Sequence, residues 1–170
     1  MSQGTVLIAY ASKYGATAGI AERIGEVLQR RGLGVEVMPA RQVRSIESYR
    51  AVILGSGVYA GNWLKDAAAL LRANEAALGH CPVWLFSDGP TGEGDPSTLM
   101  KGWRFPQNLQ PIAERIKPRA IALFHGAIDP KRLNPLERLV LKMVRAPGGD
   151  YRDWPAIEAW AAGIAEALQA

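Results

Sequence analysis

The chain has 170 residues, 48% of them hydrophobic and 21% charged, with a formal net charge of +4 and a pI near 9.4. This is the composition of a soluble globular protein, and the length suits a single domain spanning 1–170, with a sizeable core and no linker or repeat. A membrane span of roughly 20 apolar residues, a signal peptide and an internal disulfide are excluded, the last because Cys81 is the only cysteine, so the expected location is a reducing cytoplasm.

The first element is the apolar run Thr5-Val6-Leu7-Ile8-Ala9-Tyr10, read as an inner strand. It runs directly into Ser12-Lys13-Tyr14-Gly15-Ala16-Thr17 and then into a helix over 15–31. Ile20, Ile24, Val27 and Leu28 stripe one face of that helix, and Gly32 stops it. A strand that ends in hydroxyls and glycine at a helix start is an anion cradle. The helix N-terminus offers unpaired N–H groups and a partial positive charge, and the hydroxyls add donors. Gly15 permits close backbone approach and Lys13 adds charge at the rim. Neither Gly-x-x-x-x-Gly-Lys-Ser/Thr nor Gly-x-Gly-x-x-Gly is present at this loop. The competing reading is an N-capped helix without a ligand.

Further apolar runs at 34–38, 51–55, 82–87 and 119–125 read as strands, and helical spacing recurs at 62–78, 107–117 and 154–168. Val52-Ile53-Leu54 and Val83-Trp84-Leu85-Phe86 are apolar on both faces, as a parallel sheet requires. Five strands alternating with helices give a doubly wound α/β sandwich. Ligands of such folds sit at the carboxyl ends of the strands, so the loops after strands one, three and four should converge.

The loop after strand three is Gly55-Ser56-Gly57-Val58-Tyr59-Ala60-Gly61-Asn62-Trp63, and after strand four comes Ser87-Asp88-Gly89-Pro90-Thr91-Gly92. One presents an aromatic among glycines, and both are rich in backbone donors. Such surroundings suit a flavin, which needs a flat apolar face and N–H or C=O groups along its edge. The candidate cofactor residues are therefore Ser12 to Thr17, Ser56 to Asn62, and Ser87 to Thr91. Each loop alone also reads as a tight turn, and Asp88 reads as a turn-shaping residue. Gly55-x-Gly57-x-x-Ala60 matches a relaxed dinucleotide fingerprint, but on the third strand and with no acidic residue at the end of the next. The ends of strands one and three lack the aspartates of a receiver domain.

The 12–17 loop resembles the FMN-phosphate loop of flavodoxins, Ser/Thr-x-Thr-Gly-x-Thr, with Tyr14 in place of the middle threonine. The whole chain looks like a flavodoxin-like domain. Within that group it most resembles the menaquinone-dependent, oxygen-independent protoporphyrinogen dehydrogenases. Beside the two loops, that likeness rests on Phe124-His125-Gly126-Ala127, a basic insertion at about 128–150, and the ending Gly148-Gly149-Asp150-Tyr151-Arg152-Asp153-Trp154. The stretch between Gly149 and Tyr151 is shorter than in that family. The resemblance implies a five-stranded parallel sheet in the order 2-1-3-4-5, FMN as cofactor, a tetrapyrrole substrate and a quinone acceptor. It also implies that a glycine peptide beside the flavin, Gly57 or Gly61, rotates on reduction.

Electron-carrier flavodoxins are acidic by the same resemblance, whereas much of this chain's basic excess lies between Lys131 and Arg145. There Leu133, Leu136, Leu139, Val140, Met143 and Val144 recur at helical spacing, with Asn134 able to cap and Pro135 suited to the first turn. A basic amphipathic helix at 134–145 either lies on an anionic membrane surface, each nearby cation contributing about 1 kcal/mol, or docks on the sheet or a partner subunit. No aromatic-interleaved platform for nucleic acid accompanies it. The irregular stretch 89–108 holds Lys101, Trp103, Arg104 and Phe105. These either wall a flat carboxylated substrate or pin the loop to the domain. His80 and His125 lack partners at metal spacing and, like Cys81, Trp84 and Trp160, read as structural, so no metal site is expected.

The function expected is thus an FMN-dependent oxidoreductase, acting on protoporphyrinogen or a similar reduced precursor with a quinone, without an assigned protein acid or base. The alternatives are a flavodoxin-like electron carrier serving a partner enzyme and a non-catalytic binding module. A homodimer stays open, as does a location at the inner face of the membrane.

Overall fold

The computed structural model describes residues 4–170. In chain order the elements are β1 (Val6–Ala11), α1 (Ala16–Arg30), β2 (Val35–Pro39), β3 (Ala51–Tyr59), β4 (Asn62–Trp63), α2 (Lys65–Ala73) and α3 (Glu75–Leu78). They continue with β5 (Val83–Asp88), α4 (Pro96–Leu99), α5 (Gln110–Ile116), β6 (Ala120–Phe124), β7 (Ala127–Ile128), α6 (Pro135–Met143), β8 (Gly149–Asp150) and α7 (Trp154–Gln169).

The long strands pair in the order β2-β1-β3-β5-β6, all in parallel. Counting only those five, this is the expected 2-1-3-4-5 order of a flavodoxin-like sandwich. Strand pleating explains the both-faced apolar runs, because successive side chains leave opposite faces. Val6, Ile8, Ile53, Trp84 and Phe86 join α1 and α7 in one core. Leu7, Ala9, Val52, Leu54 and Leu85 join α2 and α5 in the other. Trp84 and Trp160 both belong to the first of these.

Three elements differ from the sequence reading. Strand β3 runs on to Tyr59, in register with Ala11 of β1 at Ser56 and with Asp88 of β5 at Gly57. The strand, expected to end at Gly55, therefore runs four residues further. Asn62 and Trp63, read as the start of a helix, fold back antiparallel on β3 as β4. The helix expected over 62–78 breaks at Asn74 into α2 and α3. Residues 128–150 leave and re-enter the sandwich through the antiparallel pair β7–β8, where Ile128 faces Gly149. No helix among the described residues is long and apolar enough to cross a membrane.

Candidate functional site

The 12–17 loop sits at the carboxyl end of β1, at the head of α1. Gly15 is the N-cap, with φ +97° and no side-chain cap bond, so the first-turn amides of α1 are left for an outside acceptor. A left-handed φ of this kind suits glycine and strains other residues. Ser12 Oγ accepts the Gly15 N–H at 2.9 Å and keeps its own proton to donate. Thr17 differs from expectation: its hydroxyl donates inward, to Asp88 Oδ1 at 2.6 Å. Two clefts of about 510 and 610 Å³ flank the loop, one on the β7–β8 side and one towards Pro39 and Lys65.

At the end of β3 the chain turns through Ala60 (φ +50°) and Gly61 (φ +77°), and Tyr59 pairs with Asn62. Consecutive positive φ values make a type I′-like hairpin turn, matching the twist of its strands. Tyr59 is 41% exposed, with the Lys13 Nζ 5.7 Å from its ring centroid. Its phenol is pushed up to about 12 by burial and by the charge of Asp88. Ser56, taken as a cofactor residue, is fully buried instead. It donates to the Gly57 carbonyl at 2.8 Å and accepts the Leu64 N–H at 2.9 Å. Gly57 lies within the ladder rather than in a free loop, and the Gly61 carbonyl accepts from Trp103 Nε1 at 3.2 Å.

At the end of β5, Ser87 is likewise buried, its Oγ accepting from Trp63 Nε1 at 2.8 Å. The pleat sends both serines into the interior, where they fix the hairpin and the start of α2. Asp88 is a strand residue and shapes no turn: it faces Gly57 of β3 and Phe124 of β6. It is 3% exposed, and burial pushes its carboxyl up to about 7, against the downward pull of the Thr17 bond and of Arg152. Gly89 packs on Val58, and Pro90 accepts from the Gly126 N–H at 3.0 Å. Thr91 Oγ1 is buried with no hydrogen-bond partner among the described residues. His125 holds this segment, its ring nitrogens 3.3 Å from the Pro90 carbonyl and 2.7 Å from that of Gly94. The three loops thus meet, through Thr17–Asp88, Lys13–Tyr59 and Gly89–Val58.

In the 89–108 stretch the pinning alternative is the one observed. Phe105 is buried edge-on against Trp63, with centroids 5.1 Å apart at 78°, and Trp103 ties to Gly61. Lys101 and Arg104 remain exposed.

The insertion supplies residues that sequence reasoning missed. Glu137 receives Lys13 Nζ at 2.7 Å and the Tyr14 hydroxyl at 2.5 Å, and these donors hold its carboxyl down at about 2. Arg132 donates to the Tyr14 carbonyl at 2.6 Å and Arg152 to the Ala16 carbonyl at 3.3 Å. The sequence signals Glu137 only as the third residue of a capping box with Asn134, which also forms. No spacing rule reports a partner 124 residues away. Replacing the flavodoxin-type threonine by Tyr14 thus exchanges a loop hydroxyl for a tie to the insertion. The apolar stripe is left uncovered among the described residues: Leu136, Leu139, Val140, Met143 and Val144 are 51–74% exposed, which overturns docking of that stripe on the sheet.

A doubly wound sandwich with an open anion cradle at its switch point defines a mononucleotide-binding class. A model of the flavodoxin domain matches residues 7–154, and the chain belongs to the flavodoxin family. FMN is the cofactor of that family. The residues fit it: uncapped amides for a phosphate, an orphaned buried Thr91 hydroxyl for a ring or ribityl edge, and an accessible Tyr59 face. Among solved structures, a flavodoxin from the domain Archaea matches 98% of this chain and 99% of its own length, at 14% identity and a TM-score of 0.60. The Streptococcus pneumonia TIGR4 flavodoxin matches at 12% identity and TM-score 0.61, over 96% of this chain and 99% of its own. The Flv1 flavodiiron core from Synechocystis sp. PCC6803 matches over 99% of this chain but only 37% of its own, at 17% identity and TM-score 0.64. Curated protein sequences give no significant match.

Proposed function

We propose that the protein is an FMN-dependent oxidoreductase that oxidises protoporphyrinogen IX, or a similar reduced aromatic precursor, with a quinone as electron acceptor. Bound FMN supplies the redox chemistry, accepting a hydride or an electron and proton at N5 and passing electrons to the second acceptor. The chain's residues position it. The Ser12–Thr17 loop holds the phosphate, with Lys13 at the rim, and Tyr59 faces the ring system. Gly57, Val58, Ala60, Gly61 and Asn62 on one side and Gly89, Pro90 and Thr91 on the other border its edges, with Asp88 beneath the phosphate loop. Ser56 and Ser87 brace those borders from within. Gly61, at φ +77°, is the glycine whose peptide can rotate, Gly57 being held in the ladder.

The observation that carries an enzyme reading over a plain carrier is α6. It stands on the cofactor loop and leaves an apolar ridge uncovered, with Lys131, Arg132, Arg138, Lys142 and Arg145 in the same segment. A basic amphipathic helix of this kind settles into the headgroup layer of an anionic membrane, where quinones dissolve. The test is anaerobic turnover of protoporphyrinogen with menaquinone and ubiquinone, beside sedimentation with anionic liposomes at low salt. No turnover with any quinone removes the substrate, and failure to sediment removes the membrane contact. A second reading, an electron carrier for a partner enzyme, is favoured by the likeness to carrier flavodoxins. Reduction by a ferredoxin or flavin reductase with onward transfer to a protein would select it, and protein that stays colourless with added FMN would remove both.

A further inference from the structure

We propose that Asp88 is a proton-linked gate beneath the phosphate cradle: neutral, it admits the FMN phosphate dianion, and ionised, it opposes it. The proposal rests on the FMN reading of this site and adds its regulation. Asp88 closes β5, an inner strand of the sheet, and its Oδ1 is 2.6 Å from the Thr17 hydroxyl. Thr17 is the second residue of α1, so its own amide belongs to the first turn that forms the cradle. One short side chain therefore separates the carboxyl from the anion site. Asp88 and Thr17 are 3% and 2% exposed, so little solvent screens a charge placed there.

Few groups face Asp88. From α1 comes the Thr17 hydroxyl, from β3 the Tyr59 phenol, neutral at physiological pH, and from β6 the apolar Phe124. Among the described residues the cation acting on it is Arg152, ahead of α7, already engaged by both carboxylate oxygens of Asp150, at 2.9 and 2.7 Å. Burial outweighs these pulls and pushes the Asp88 carboxyl up to about 7. Two effects then act with the same sign. A carboxylate under the cradle repels the dianion. It is also an acceptor only, so Thr17 must spend its proton on it. A neutral Asp88 can donate to Thr17 Oγ1, which releases the threonine proton towards the cradle. Dianion binding accordingly raises the Asp88 pKa further and draws in a proton. Above pH 7 the dissociation constant for FMN should rise with pH, by up to about tenfold per unit.

The test is titration of the apoprotein with FMN and with riboflavin, by flavin fluorescence quenching at pH 6.5, 7.5 and 8.5. Calorimetry in two buffers of different ionisation enthalpy counts protons. The phosphate's own second ionisation, near pH 6, is largely complete across this range. The expected result is FMN binding weakened about tenfold or more from pH 6.5 to 8.5, with proton uptake, and riboflavin binding unchanged. In Asp88→Asn the FMN constant should stay flat at the tight, low-pH value. Thr17→Val, which removes the bond but keeps the acid, should move the pH profile to higher pH. It serves as a second test where Asp88→Asn does not fold. An equal slope for riboflavin, or for FMN in Asp88→Asn, overturns the gate, as does tight and pH-independent binding by the unaltered protein. Failure of both flavins to bind at every pH would instead remove the FMN reading on which the gate stands.

Discussion

Gly55 gives the sharpest test of how the two cores hold the site. It lies mid-sheet, between Tyr10 of β1 and Phe86 of β5, and a Cβ built on it would overlap the Phe86 ring. That ring is fully buried and has little room to retreat. Phe124 and Trp160 each lie 6.1 Å from it and 5.5 Å from one another. Overpacking a core costs about 1–3 kcal/mol, and rigid aromatics put Gly55→Ala at the upper end, about 3 kcal/mol. For a chain of this size each kcal/mol lowers Tm by about 2–4 °C, so the expected loss is roughly 6–12 °C. Thermal melts followed by circular dichroism measure it. Phe86→Leu in the Gly55→Ala background should recover part of the loss, with a favourable coupling of about 1–2 kcal/mol. A Tm within about 2 °C of the unaltered protein, or no coupling, would refute the argument that the ring dictates this glycine.

Three further outcomes follow from the site. Glu137→Gln removes the charge that Lys13 and Tyr14 hold, so trypsin should cut at Arg138, Lys142 and Arg145 faster while Tm stays unchanged; equal cleavage rates would show that α6 is anchored by something else. The same carboxylate makes the docking acid-sensitive. Its pKa is lowered, so the contribution is complete above the ordinary value of 4.5 and is lost as pH falls towards about 2. Amide exchange in residues 133–146, normalised to the intrinsic rate, should accelerate across that window and not between pH 5 and 8. Thr91→Val replaces an orphaned buried hydroxyl by a methyl of the same shape, so the apoprotein should gain about 1 kcal/mol of stability in urea melts. Its FMN constant should meanwhile weaken several-fold, whereas an apoprotein destabilised by more than about 1 kcal/mol would mean that the hydroxyl has a partner within the protein.

Long-strand positions were open to sequence reasoning because burial on both faces leaves runs such as Val52-Ile53-Leu54 with no polar interruption, whereas the strand order came only with the resemblance to flavodoxins. The position of the 12–17 loop was equally open, since hydroxyls and glycine between a strand and a helix form a local signal. What escaped is non-local. Gly55 and Gly57 read as loop glycines, yet Gly55 is small because a ring from another strand lies over it. Ser56 and Ser87 read as ligand hydroxyls, but the pleat turns them towards Leu64 and Trp63. Strand β4 is too short for any period to announce it. Glu137 shows in sequence as a cap, and only the folded chain brings it to Lys13. The amphipathic stripe of 133–144 was visible, while its exposure depended on what the sheet left uncovered.

The β7–β8 pair makes the excursion at 128–150 a detachable cassette. Because Ile128 and Gly149 are ladder partners, the segment departs and returns at points about 5 Å apart, and its contents impose no strain on the path from β6 to α7. Excising 129–148 and bridging the stumps with a two-residue turn would leave the sandwich connected, and a different attachment could be grafted in its place. The excursion and the sandwich can thus diversify separately on one scaffold, joined where Glu137 and Arg132 touch the cradle.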